Sequence, residues 1–292
     1  MAGQKLTDQS ITAAVLERLA DSPNPRLKQV MESLVSHLHQ FARDVHLTTE
    51  EWSLAIDFLT AAGHITDDKR QEFILLSDTL GLSALVDLME HRDAGARATE
   101  SSLLGPFYRL SAPEVQLGAD ISNGTPGEPL EVRGAVRSAE GGAICDALLD
   151  VWQAAPNGLY DVQDKSQSGM NLRARLRSDA RGHFAFRTVK PASYPVPDDG
   201  PVGKMLRGLG RHPFRPAHIH FIVSAPGFHI LTTALYINGD RYLETDAVFG
   251  SRPSLVVDCR RESNGAQSID FDFVLARATR RALRIRTQSA DG

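Results

Sequence analysis

Glycine and proline are distributed unevenly along this chain: only 4 of its 23 glycines and 2 of its 15 prolines fall within residues 1–100. Both residues interrupt helices and populate turns, so the first hundred residues are expected to be helical and the rest strand-rich. Pro23 and Pro25 precede apolar residues at Leu27, Val30, Met31, Leu34, Val35, Leu38 and Phe41, the spacing of one helix face. Thr48 and Glu51 form a capping-box pattern ahead of Trp52, Leu54, Ile56, Phe58 and Leu59. Further helices are expected over residues 72–80, ending near Gly81, and over 83–91. About five helices in this stretch could make a small bundle or a pairing surface for a dimer.

From Leu130 onward the period shortens. Residues 130–136, 183–187 and 268–274 alternate as half-buried strands do, and 217–224, 231–237 and 254–258 are further strand candidates. Many short strands between Gly/Pro turns, without alternating helices, argue for a β-sandwich or barrel rather than a doubly wound sheet. The expected class is therefore α+β, with a helical N-terminal domain over residues 1–104 and a β-sandwich over 105–292.

Charge excludes some functions. With 32 basic and 36 acidic side chains the net charge is -4, which leaves no basic excess for a nucleic-acid backbone or an anionic membrane. Residues 216–239 carry no Asp, Glu, Lys or Arg and are long enough to span a bilayer, but Pro226-Gly227 breaks them and His218, His220 and His229 lie within them. They read as two buried strands and a turn. Residues 13–16 are too short for a signal-peptide core, and Cys145 and Cys259 are too few for a disulfide framework, so a cytoplasmic location is expected.

Chemistry concentrates in a few places. His218-Ile219-His220 on a strand projects both imidazoles from one face, where they can share an ion or hydrogen-bond to backbone. No HExxH or CxxC motif supplies more ligands. The chain has 5 tyrosines, and two of them, Tyr160 in Gly158-Leu159-Tyr160-Asp161 and Tyr194 in Ser193-Tyr194-Pro195-Val196-Pro197, sit in turn-like settings. A ferric ion can displace a phenolic proton and bind the phenolate; packing is the alternative role for each ring. Arg215, three positions before His218, could stabilise negative charge on a substrate or make a surface ion pair.

These residues lie in segments that together resemble the intradiol ring-cleaving dioxygenases, which open catechol-type rings with non-haem ferric iron. The matching pieces run in order: Leu104-Gly105-Pro106-Phe107-Tyr108, Asp150-Val151-Trp152-Gln153-Ala154, Asn157-Gly158-Leu159-Tyr160, Tyr194-Pro195-Val196-Pro197, and Arg215 through His220. The resemblance covers nearly the whole chain. It implies a dimerising helical domain and a catalytic sandwich, with Tyr160, Tyr194, His218 and His220 as Fe(III) ligands and a solvent hydroxide in the fifth position. It also implies that Tyr194 accepts a substrate proton, that Arg215 stabilises the electron-rich ring carbon, and that lipid sometimes sits between helical domains. The substrates would be a small aromatic diol and O2.

Within the family, the segment around Asp78 (Leu75-Leu76-Ser77-Asp78-Thr79-Leu80-Gly81) resembles the hydroxyquinol 1,2-dioxygenases, where an aspartate faces the ring's third hydroxyl. Asp78 ends a helix, where a negative charge is unfavourable; a solvated carboxylate, or pairing with Lys69 or Arg70, is the alternative. Residues 200–203, 210–213 and 246–250 agree with that branch. Leu75, Leu104, Gly105, Pro106, Phe107, Val196, Pro197 and Val248 would then line the ring pocket. Where catechol enzymes carry a glutamine after the ligand histidines, this chain has Ala234. The rival expectations are a catechol 1,2-dioxygenase with the same chemistry, a metal-free β-sandwich binding module, and a zinc hydrolase. The last is disfavoured because phenolate is an unusual zinc ligand.

Overall fold

The computed structural model describes residues 6–67, 70–92, 97–167, 169–263 and 265–278. Five helices come first: α1 (Ile11–Glu17), α2 (Pro25–Asp44), α3 (Thr49–Ile65), α4 (Glu72–Thr79) and α5 (Leu82–Glu90). The strand-rich part follows, so the chain is α+β as its glycine and proline distribution requires. Its strands are β1 (Pro129–Ser138), β2 (Leu148–Gln153), β3 (Arg173–Arg177), β4 (His183–Val189), β5 (Tyr194–Pro195), β6 (Phe214–Arg215), β7 (His218–Ser224), β8 (Leu231–Ile237), β9 (Val256–Val257), β10 (Arg260–Arg261), β11 (Gln267–Asp270) and β12 (Phe273–Leu275). A sixth helix, α6 (Pro201–Gly208), stands between β5 and β6.

The chain separates into two compact units, Met1–Ala61 and Ala62–Gly292. Helices α4 and α5 thus belong to the same unit as the strands. In the first unit, Asn24 caps α2 by accepting from the Leu27 N–H at 2.9 Å, with Pro25 in the first helical position. Thr48 and Glu51 form the reciprocal capping box: the Thr48 N–H donates to the Glu51 carboxylate at 2.9 Å and the Glu51 N–H to the Thr48 hydroxyl at 3.2 Å. Arg43 on α2 donates to Thr12 on α1 at 2.8 Å, joining those helices.

The second unit is built on two five-stranded sheets. One has the order β10-β11-β1-β12, with β4 also paired to β1; the other runs β3-β2-β7-β8-β9. Their inner faces meet in a single apolar core. Leu130, Val132, Phe184, Phe186, Ile269 and Phe273 of the first sheet pack on Leu149, Val151, Ile219, Phe221, Val223 and Leu235 of the second. Phe221 joins the layers directly, its ring centroid 4.8 Å from Phe273 and 6.2 Å from Phe186.

Two strand expectations need correction. Residues 268–274 form two strands because β1 changes partner, running parallel to β11 up to Arg133 and to β12 from Val136. At the changeover the Phe271 carbonyl oxygen lies 1.8 Å from where a Gly134 Cβ would sit, so only glycine fits. Asp272 then accepts from the Ala135 N–H at 2.8 Å. Residues 254–258 shorten to β9, because Pro253–Leu255 is a 3-10 turn whose proline has no N–H for a ladder. Strands β2 and β3, which period alone did not single out, occupy the second sheet beside β7. The uncharged stretch 216–239 supplies β7 and β8, and among the described residues no helix is long and apolar enough to cross a membrane.

Candidate active site

Strand β7 positions the histidines. Its odd residues Ile219, Phe221 and Val223 enter the core between the sheets, so His218 and His220 project from the other face, where both are also buried. His218 Nδ1 lies 2.6 Å from the Pro216 carbonyl, which must accept its proton. That leaves His218 Nε2 as a lone pair, 3.0 Å from His220 Nε2. His220 is opposite Trp152 of β2, and their rings stack at 4.8 Å with an interplanar angle of 4°.

Tyr160 arrives from a loop and Tyr194 from a short strand. Gly158, at φ +80°, and the Asn157 side chain, which accepts from the Leu159 N–H at 3.0 Å, turn the chain after β2 and point Tyr160 inward. Tyr194 lies in β5, paired with Arg215 of β6. The Tyr160 hydroxyl donates to the Tyr194 hydroxyl at 3.3 Å, and the Tyr194 ring is 5.6 Å from that of His218. Phe107 stacks on Tyr160 at 4.5 Å. The four residues Tyr160, Tyr194, His218 and His220 are therefore brought together, each at most 3% exposed.

Burial, then the nearby Arg215, pushes the His218 imidazole down to about 3, and burial with His218 beside it takes His220 well below the usual histidine value. Both rings are neutral near pH 7 and can donate lone pairs. Burial, then Tyr194, raises the Tyr160 phenol well above its usual value, so only a strong cation would ionise it. Among the described residues no group of three or more His, Cys, Asp or Glu side chains could hold a metal. A metal at this place would thus need the phenolic oxygens. Two neutral imidazoles and two phenolic oxygens suit ferric iron.

Arg215, 2% exposed, is held from several sides. Its Nε donates to Asp246 at 3.2 Å, its Nη2 donates to the Tyr236 hydroxyl at 3.2 Å, and its Nη1 is 3.2 Å from His218 Nε2. Asp246 also accepts from the N–H groups of Val248, Gly250 and Ser251 at 3.3, 3.0 and 3.2 Å. Burial alone would raise the Asp246 carboxyl; Arg215 outweighs it and holds the group below its usual value. Burial pushes the Tyr236 phenol up to about 12, and its hydroxyl lies 2.8 Å from Ser102 Oγ.

A cavity of about 650 Å³ opens onto this cluster. Leu75, Asp78, Gly105, Pro106, Phe107, Tyr194, Val196, Pro197, Arg215 and Val248 all line it. Leu104 does not; it is exposed, and its buried neighbour Leu103 takes the lining position. Tyr160, His218 and His220 lie beneath, reached through Tyr194 and Arg215. Leu75 and Asp78 share the cavity-facing side of α4, one turn apart. Burial raises the Asp78 carboxyl while the Ser83 hydroxyl and Arg215 lower it. Lys69, one alternative partner for Asp78, lies outside the described residues, and Arg70 pairs with Glu72 and Asp199.

Sequence reasoning missed Asp246, Tyr236 and Trp152 as supports of the site. Tyr236 and Trp152 are cross-strand neighbours of His218 and His220, and Asp246 meets Arg215 across 31 positions, so no local pattern gives their roles, although Trp152 and Asp246 lie in segments that carry the resemblance.

The family model described as "Catechol dioxygenase N terminus" matches residues 24–97, and "Dioxygenase" matches residues 103–277. The chain is 50% identical over 272 residues to the 6-chlorohydroxyquinol 1,2-dioxygenase of Cupriavidus pinatubonensis, covering 93% of this chain and 98% of that one. It belongs to the intradiol ring-cleavage dioxygenases. This intradiol dioxygenase is also 46% identical to the hydroxyquinol 1,2-dioxygenase of Corynebacterium glutamicum, over 94% of its own length and 95% of the relative's. Its fold matches the crystal structure of hydroxyquinol 1,2-dioxygenase from Pseudomonas putida with a TM-score of 0.88 at 44% identity, covering 93% and 99% of the two chains. It is thus an enzyme whose substrates are an aromatic diol and O2.

Removing the Asp246 carboxylate would leave Arg215 buried without its counter-charge. Asp246→Ala is expected to lose about 3–5 kcal/mol of stability, measured by urea unfolding followed by near-ultraviolet circular dichroism. A loss under about 1 kcal/mol would show that the pair does not hold this loop.

Proposed function

We propose that this intradiol dioxygenase acts on hydroxyquinol, 1,2,4-trihydroxybenzene, in the breakdown of aromatic compounds. The bond between the two vicinal hydroxylated carbons is broken and both atoms of O2 enter the product, 3-hydroxy-cis,cis-muconate, the enol form of maleylacetate. The observation that carries the reading is a single cavity lined by Tyr194, Arg215 and the buried carboxylate of Asp78. The names of the relatives at 46–50% identity agree with it.

Tyr160, Tyr194, His218 and His220 would hold a non-haem ferric ion. When bound, that ion supplies the Lewis acidity that lets the diol bind as a dianion and makes its ring electron-rich toward O2. The protein supplies the rest. Tyr194, the candidate ligand that lines the cavity, would take one of the two diol protons at its phenolic oxygen, and a solvent hydroxide would take the other. The buried histidines are poor proton acceptors and stay neutral. Arg215, fixed by Asp246 and Tyr236, presents positive charge to the ring carbon that becomes electron-rich. Leu75, Val196, Pro197 and Val248 grip the apolar ring and exclude water. Asp78 accepts a hydrogen bond from the third hydroxyl, which catechol lacks.

Residues 105–292 would form the catalytic domain and residues 1–104, whose helix α4 also lends Leu75 and Asp78 to the cavity, the part through which two copies pair, with lipid held between the helices. Leu27, Leu34, Leu38 and Phe41 on α2 are each more than half exposed, which supports such a face. A cytoplasmic location fits the two free cysteines. Sedimentation equilibrium should give about twice the chain mass of 31.9 kDa; a monomer at micromolar concentration would overturn the pairing.

The purified protein should be red-brown and contain iron. Tyr194→Phe is expected to retain iron more readily than His218→Ala while turning over more slowly; wild-type turnover in Tyr194→Phe would remove its proton-acceptor role. Oxygen uptake should be faster on 1,2,4-trihydroxybenzene than on catechol. Asp78→Ala should lower that preference by about tenfold or more, as loss of a charge-assisted hydrogen bond does. An unchanged ratio would sink the proposed substrate contact.

A further inference from the structure

We propose that Arg211 is a positioning residue for substrate preference: it locks the substrate-facing helix α4 to the loop that anchors Arg215. The inference rests on the reading of Asp78 given above, since Asp78 lies at the end of α4 that Arg211 grips.

Helices α4 and α6 are both 8 residues long, and α6 braces α4 at its two ends. At the start of α4 the fully buried Glu72 carboxylate accepts from the Val202 N–H in the first turn of α6 at 3.0 Å. It also accepts from Arg70 Nε at 3.1 Å. The approach is close: a Cβ on Gly200 would lie 2.6 Å from Glu72 Oε1. At the far end, α6 closes through Gly210, at φ +67°, and the Arg211 N–H donates to the Leu206 carbonyl at 2.9 Å. That turn aims the Arg211 guanidinium back at α4.

The guanidinium makes a three-way joint. Its Nη1 donates to the carbonyl of Thr79, the last residue of α4, at 2.6 Å. Its Nη2 donates to the Ala247 carbonyl at 2.9 Å. It also covers the Phe249 ring at 5.0 Å, while the same ring lies 3.4 Å from where a Cβ of Gly81 would sit, in the α4–α5 turn. Phe249 itself is at φ +58°, a conformation that needs such support.

The two carbonyls that Arg211 joins adjoin the groups that matter on either side of the pocket. Thr79 follows Asp78, while Ala247 lies between Asp246, which holds Arg215, and the pocket residue Val248. Arg211 does not itself line that pocket. It therefore sets the separation between the carboxylate that meets the third hydroxyl and the arginine that meets the ring. A planar fork is required, because a lysine ammonium cannot direct two fixed donors at two carbonyls and cover a ring at once.

The test compares kcat/KM for 1,2,4-trihydroxybenzene and catechol in iron-loaded enzyme, with iron content measured as a control. Arg211→Met should lower the trihydroxybenzene-to-catechol ratio about tenfold, mainly through KM for the triol, and Arg211→Lys should fall between it and wild type. In an Asp78→Ala background, Arg211→Met should shift the ratio by less than twofold. An unchanged ratio in Arg211→Met beside a changed one in Asp78→Ala would overturn the role of Arg211 alone. A changed ratio in Arg211→Met beside an unchanged one in Asp78→Ala would overturn the contact of Asp78 with substrate and leave the joint standing. Equal losses on both diols would mean that Arg211 only stabilises the fold. Should Arg211→Met fail to fold, Arg211→Lys carries the same comparison, and a wild-type ratio there would reject the need for the planar fork.

Discussion

Both faces of strand β7 are buried, and that constraint organises the catalytic unit. A one-residue slip exchanges the two faces of any strand. Here a slip would drive two imidazoles into the inter-sheet core and expel Ile219, Phe221 and Val223. The core therefore excludes a one-residue slip and fixes the register of His218 and His220. The neighbours follow from the same register: Trp152 stacks on His220 from one side, and Tyr236 faces His218 from the other. The candidate metal ligands are held by the packing that holds the sandwich together.

Burying an arginine beside two histidines would be costly without compensation, since desolvation penalises the charge. The loop at 246–250 provides it. Asp246 neutralises Arg215, and three N–H groups of its own loop neutralise the remainder of the carboxylate. Gly250 has no space for a side chain, as a Cβ would lie 2.8 Å from both Arg215 Nη2 and the Tyr236 hydroxyl. The positive charge is thus fixed before any substrate enters. An arginine that needs no reorganisation is more useful to a developing negative charge than a mobile one.

The parts of this design that were legible in the sequence are those written in short-range patterns. The scarcity of glycine and proline before residue 101 marked the helical part, the Thr48/Glu51 pair marked the start of α3, and His218-Ile219-His220 needed only the period of a strand. Asp246 was visible only as part of a motif, because its role depends on a partner 31 positions away. The split between β11 and β12 was hidden for a similar reason: residues 268–274 alternate well, and the break is imposed by Gly134 on another strand. Leu103 and Leu104 differ by one position, and in an irregular segment no period says which of them faces inward.

On the proposed reading, chemistry and selectivity are carried by different parts of the unit. The histidines sit on the second sheet and Tyr194 and Arg215 on the paired strands β5 and β6, where strand pairing leaves little freedom, while Tyr160 lies in the loop after β2. Asp78 sits on a helix of only 8 residues, too short to be stable by itself. Its place depends on contacts outside its own backbone: Glu72 at one end and Thr79, through Arg211, at the other. These contacts tie α4 to α6 and to the loop at 246–250 rather than to the paired strands that carry the histidines. On the proposed reading, substitutions on α4 or α6 would change which diol is accepted while the strand pairing that holds His218 and His220 stays intact.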